Sequence, residues 1–204
     1  MIGNDIVSLD VVRKAPKSGS ARFLGKVLHA SEYALLARHP DRECALWMLW
    51  ALKESAYKLA FRQSGRRFFG PKQFVCTGLE ADPATGAFGA QVRTSGAVYP
   101  ASGYAGPAFI HALAAVSAAV LDATQWGVFE LARQEPAYQS LAVRTVACAA
   151  MGHILPEKQA FHISAPGALP YPIVSGPDGG AGPALSLSHH GCLAAYAFTV
   201  SVDL

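Results

Sequence analysis

One stretch constrains this chain more than any other: residues 41–63, DRECALWMLWALKESAYKLAFRQ. It is rich in strong helix formers, opens on Asp41 as an N-cap and stops near Gly65. The sequence therefore predicts one long helix. Its apolar residues occupy most of the circumference, so it should lie buried at the centre of the fold. A core must be assembled around it, and the composition supplies one. Of 204 residues, 51% are hydrophobic and only 15% charged, which excludes intrinsic disorder. A net charge of +3 also excludes a heavily basic nucleic-acid binder.

The remaining segments read as shorter pieces. Residues 2–9 alternate and carry Ile and Val, as a strand does, and residues 16–20 form a loop. Residues 23–38 read as a helix, with Ser31 able to cap a shorter one starting near Glu32. Strands are expected over residues 74–79, 89–94 and 109–120, then a helix over 139–153. Further strands are expected over 161–164, 171–174, 184–188 and 193–202. A faint repeat runs through these pieces. Residues 2–9 align with 127–131, the helices around Leu52 and Val146 with each other, and Phe74 with Phe161. Leu113-Ala114-Ala115 aligns with Leu193-Ala194-Ala195. The expected fold is α+β, duplicated with a pseudo-two-fold relation, each half a central helix on a small antiparallel sheet. Residues 1–122 would form the first half and 123–204 the second, together one compact unit.

Cys44, Cys76, Cys148 and Cys192 form no CxxC pair, so reduced thiols are expected rather than a zinc or disulfide framework. The first residues, MIGNDIVSLD, lack the basic and apolar regions of a secretory signal. The longest nearly apolar run, residues 108–121, falls short of the roughly 18 residues of a membrane span. A soluble cytoplasmic protein is the expectation.

Glu54 is the most informative candidate. On a helix its neighbours one turn away are Trp50, Ala51, Tyr57 and Lys58, and a carboxylate on so apolar a face is costly unless paired. An i,i+4 pair with Lys58 is the plain alternative. Lys53 and Lys58 flank it with ammonium groups. A carboxylate for a hard cation, with lysines for phosphate oxygens, is what magnesium-assisted phosphoryl transfer needs. Asp5, after Gly3-Asn4, is either a turn residue or a second carboxylate, useful only if its strand packs beside the helix. In Ser186-Leu187-Ser188-His189-His190-Gly191 the adjacent histidines lack HExxH spacing and neither serine sits in a GxSxG elbow. The cluster suits phosphate held through hydrogen bonds, or a strand end with capping serines and a packed His. Arg62, Arg66, Arg67 and Lys72 are either an anion site or docking face for an acidic protein, or a solvated basic loop.

In chain order, Gly3-Asn4-Asp5-Ile6, then Trp50-Ala51-Leu52-Lys53-Glu54-Ser55-Ala56-Tyr57-Lys58, then Ser186-Leu187-Ser188-His189 resemble the 4′-phosphopantetheinyl transferase superfamily. The resemblance implies transfer of 4′-phosphopantetheine from coenzyme A to a serine of an apo acyl or peptidyl carrier protein, releasing adenosine 3′,5′-bisphosphate. It implies Asp5 and Glu54 as Mg²⁺ ligands, Lys53 and Lys58 near the coenzyme A phosphates, and Ser188 and His189 at the nucleotide phosphate. Glu54 and Lys58 would be the catalytic pair. The motif order is that of short holo-acyl-carrier-protein synthases, whereas the length is nearer that of duplicated single chains. A monomer with pseudo-dimeric halves is therefore expected, serving lipid or polyketide biosynthesis, without nucleic acid or membrane. Val7 stands where longer members often carry another acid, and Asn4 where an apolar residue is common. The alternative is a catalytically silent, carrier-binding relative of the same fold. An unrelated nucleotide enzyme is disfavoured, since GxxxxGK[ST] and GxGxxG are both missing.

Overall fold

Residues 2–8 alternate as a strand should, and they form one: β1 (Ile2–Ser8), buried along nearly its whole length. The computed structural model describes residues 1–67, 70–155, 161–164, 171–176 and 179–200. Phe68 and Phe69 of the basic loop and the expected strand end at residues 201–202 lie outside them.

After β1 come the short helices α1 (Leu9–Val12) and α2 (Ala21–Val27), a 3-10 turn at Ala30–Glu32, and α3 (Tyr33–Arg38). The single helix expected over residues 23–38 is thus broken. Leu28 and His29 are extended, and the cap is His29 rather than Ser31. The His29 N–H donates to Glu32 Oε2 at 2.8 Å, which closes a capping box and turns Glu32 into the core.

The long helix follows as α4 (Arg42–Ser64). Asp41 caps it by accepting the Cys44 N–H at 2.9 Å, and Gly65 ends it in the left-handed region at φ 68°. Leu46, Leu49, Leu52, Ala56 and Leu59 are fully buried along it. Strand β1 lies against this helix at Gly3, where a Cβ would come within 2.1 Å of the Ser55 carbonyl oxygen. Only a glycine lets strand and helix backbones approach so closely.

The chain then builds β2 (Val75–Ala81), β3 (Ala87–Arg93), β4 (Val98–Ala105) and β5 (Phe109–Ala115). With β1 they form an antiparallel sheet in the order β1-β5-β4-β3-β2. Strand β4 was not expected, because Pro100 and Gly103 read as turn punctuation. A Cβ at Gly103 would sit 2.2 Å from the Phe88 ring and 2.3 Å from the His111 carbonyl oxygen, so here the glycine serves strand packing. The strand expected over 109–120 stops at Ala115, and Ser117 caps helix α5 (Ala118–Asp122).

The second sheet has the order β6-β10-β9, from β6 (Thr124–Glu130), β9 (Leu185–His190) and β10 (Leu193–Thr199). Between β6 and β9 lie α6 (Pro136–Ile154) and a small hairpin of β7 (His162–Ile163) and β8 (Val174–Ser175). The element mixture is α+β. In both sheets the opening strand pairs antiparallel with a strand carrying Leu-Ala-Ala, β1 with β5 and β6 with β10. Among the described residues, no helix is long and apolar enough to cross a membrane.

The two sheets meet where the free edge of β1 faces β9. Side chains, rather than a strand ladder, receive that edge. The Asn4 N–H donates to Ser186 Oγ at 2.9 Å, and the Ser8 N–H to His190 Nδ1 at 2.9 Å.

Candidate active site

Alternation along β1 decides what its residues meet. Gly3 and Asp5 share the face turned to α4, and Asn4 takes the other face. Because Gly3 brings the strand onto the helix at Ser55, Asp5 arrives beside Lys58. The Lys58 ammonium donates to Asp5 Oδ1 at 3.0 Å and to the Asn4 carbonyl at 2.7 Å. Glu54 lies one turn back along α4. Asp5, Glu54, His189 and His190 line a cleft of about 270 Å³, walled on the α4 side by Trp47 and Trp50.

The cleft holds two carboxylates and a shortage of positive charge. Burial, then the charge of Asp5, push the Glu54 carboxyl up to about 7, against the pull of Lys58. Burial also raises Asp5, opposed by the charge and hydrogen bond of Lys58, by His190 and by the Ile6 N–H. Two hard oxygen donors in this state fit Mg²⁺, which takes one or two carboxylates and fills its octahedron with water and substrate phosphate. Among the described residues, no three His, Cys, Asp or Glu side chains gather as a complete protein cage.

The expected site residues do not all reach this cleft. Lys53 does not. Its side chain is fully buried and pairs with Glu32 at 2.7 Å. It also donates to the carbonyls of Pro71 at 3.0 Å and Phe74 at 2.6 Å, so all three of its protons are engaged and none is left for phosphate. On a helix Lys53 points roughly 140° away from Lys58, a signal the sequence did contain. Ser188 is corrected as well. It is buried, and its Oγ accepts from Asn4 Nδ2 at 3.0 Å, so it joins β9 to β1 instead of facing a nucleotide. His189 is exposed and lines the cleft, and its basicity is lowered by burial and by Lys58, with Asp5 opposing.

Asn4 and His190 were missed. Asn4 Nδ2 also lies 3.2 Å from Nε2 of the buried His111, whose ring packs 4.8 Å from Trp126. Burial and then Lys58 hold His111 down at about 3, so it stays neutral. The serine–x–serine–x–histidine alternation of residues 186–190 was the available signal for His190, since it puts three polar side chains on one face of β9.

Of the basic residues, Arg62 lies beside Lys58. Both line a small cavity of about 120 Å³ with Ser186 and Tyr171. The Arg62 guanidinium packs 5.2 Å over the Tyr171 ring, and desolvation lowers it to about 10. Lys72 lines a separate groove with Arg93 and His29.

A family model described as the 4′-phosphopantetheinyl transferase superfamily matches residues 1–102. That span contains Asp5, Glu54 and Lys58 and stops short of the β9 histidines. A search of curated proteins finds no match to the chain.

Proposed function

The chain belongs to the 4′-phosphopantetheinyl transferase superfamily, and from that premise we propose a holo-acyl-carrier-protein synthase type of activity. The enzyme moves 4′-phosphopantetheine from coenzyme A to a serine of an apo acyl or peptidyl carrier protein, with Mg²⁺, and releases adenosine 3′,5′-bisphosphate. It works in the cytoplasm as a monomer of two similar halves, residues 1–122 and 123–204. The observation that carries this reading is the convergence of Asp5 and Glu54 on one cleft with Lys58 between the strand and the helix.

Asp5 and Glu54 are the residues that would hold Mg²⁺, which when bound draws negative charge from the diphosphate. Among the described residues, Asp5 and the Asn4 carbonyl engage two donors of the Lys58 ammonium, and its third proton is the one that would serve a phosphate oxygen of the leaving group. The Asn4 carbonyl and Asp5 hold Lys58 between the cleft and the small cavity it lines with Arg62, so this donor needs little reorganisation. Trp47 and Trp50 wall the cleft and limit water beside the reacting groups. His189, at the exposed rim, faces the nucleotide phosphate.

The carrier serine oxygen attacks the β-phosphorus of coenzyme A, and the bond from that phosphorus to the bridging oxygen breaks. The leaving adenosine bisphosphate takes the electron pair. The serine proton leaves to water in the open cleft, since the Glu54 carboxylate would be taken up in holding the cation. The test is incubation of the full chain with coenzyme A, Mg²⁺ and a panel of apo carrier proteins, followed by intact mass. A gain of one phosphopantetheine on one carrier is expected, and no gain on any carrier overturns the reading.

A further inference from the structure

We infer that His190 is a further binding residue of this cleft, whose Nε2–H donates to an oxygen of the coenzyme A diphosphate. The inference rests on the function proposed above and deepens it.

The Ser8 N–H lies on the free edge of β1, and a buried N–H requires an acceptor. It finds one in His190 Nδ1 at 2.9 Å. A nitrogen that accepts from an N–H carries no proton itself, so the neutral ring is fixed with its proton on Nε2. The tautomer is therefore set by the hydrogen bond the other ring nitrogen makes.

The position of the ring is set too. His190 is the last residue of β9, and the turn Gly191–Cys192 returns the chain at once to Leu193, its partner across the hairpin. Gly191 has φ 60°, and a Cβ there would lie 2.7 Å from Val11 Cγ2 and 3.6 Å from Ser8 Oγ. The turn thus presses against the end of β1 where the Ser8 N–H emerges, and glycine is needed for it to do so.

With Nδ1 turned to Ser8, Nε2 is on the far side of the ring. His190 lines the cleft with Asp5 and Glu54, and among the described residues its Nε2 has no hydrogen-bond partner, nor is it a buried orphan. It remains an accessible donor beside the two carboxylates. A donor already held by backbone loses little side-chain freedom on binding, which favours it over a free one. Its neighbour His189 also lines the cleft, but it is exposed and has no such anchor among the described residues.

The substitution His190→Asn separates this role from a purely structural one. Its Oδ1 takes the place of Nδ1 and still accepts from Ser8, while the donor at Nε2 is gone. Calorimetric titration with coenzyme A in Mg²⁺ should show affinity reduced roughly tenfold or more, as for a lost hydrogen bond to a charged group, with the melting temperature of wild type. His189→Asn should weaken binding less. In ¹⁵N-histidine spectra wild-type His190 should report the neutral Nε2–H tautomer, and coenzyme A should shift that nitrogen. Wild-type affinity in a folded His190→Asn protein, or an Nδ1–H tautomer, overturns the role of His190 and leaves the proposed reaction standing. If wild type takes up no coenzyme A in Mg²⁺, the reaction itself is wrong and the inference falls with it.

Discussion

Two ion pairs lie five residues apart on α4, and their environments differ completely. Lys53 and Glu32 meet at 2.7 Å with both side chains at 0% exposure. Lys58 and Asp5 meet at 3.0 Å with 28% and 15% exposure. The first pair is closed. Every ammonium proton of Lys53 has an acceptor, and Glu32 also accepts the N–H groups of His29 and Cys76 at 2.8 and 2.7 Å. It ties the 3-10 turn before α3, the segment at Pro71 and the start of β2 to the central helix. The second pair is open. Asp5 and Glu54 crowd one ammonium, and among the described residues no hydrogen bond or ion pair satisfies the Glu54 carboxylate. The pair that ties the fold together is fully satisfied, while the groups in the cleft leave capacity for a ligand.

The largest expected effect falls on the closed pair. Lys53→Met leaves Glu32 charged in the core and should cost about 3–5 kcal/mol, read by urea denaturation. Lys58→Met should cost about 1 kcal/mol or less, yet it should slow transfer, which Lys53→Met should not do in its folded fraction. Equal stability losses would erase the distinction. Next, Glu54→Gln and Asp5→Asn should each reduce transfer at least roughly 100-fold with the fold intact, measured as the rate of carrier mass gain.

Gly3→Ala probes how the open pair is assembled. Its Cβ would meet the Ser55 carbonyl, so β1 must lift from α4 at a cost of about 1–3 kcal/mol. Transfer should fall because Asp5 moves with the strand, while the Lys53–Glu32 pair stays in place. A crystal structure of the variant with the Asp5–Lys58 contact preserved would break this link.

A further effect is one of pH. In the folded protein Glu54 sits at about 7 against an ordinary 4.5, so the fold binds that proton more tightly than the unfolded chain does. Its contribution to stability must therefore fall as pH rises from about 4.5 to about 7, then level off. Melting temperatures in chelator should show this decline, and Glu54→Gln should flatten it. An unchanged profile in the variant would remove Glu54 as its source.

Much of this was legible in the sequence because it is local. The α4 boundaries follow from Asp41 and Gly65, and Asp5 with Glu54 follows from residue type and short strings. The helix break at Leu28–His29 was not legible, because it serves Glu32, whose partner Lys53 is 21 residues away. Strand β4 was hidden because Gly103 signals a turn locally and close packing only in three dimensions. Lys53 was misassigned since a Lys-Glu string fixes spacing but not which side of the helix meets solvent. Ser188, Asn4 and His190 take their roles from the meeting of β1 and β9, across 182 and 184 residues of chain, which no local pattern encodes.

The most direct test of the central claim is coenzyme A binding measured by calorimetry, with and without Mg²⁺, in wild type, Glu54→Gln and folded Lys53→Met. Binding should require Mg²⁺ in wild type, persist in Lys53→Met and be lost in Glu54→Gln. Mg²⁺-dependent binding that survives in Glu54→Gln would contradict it.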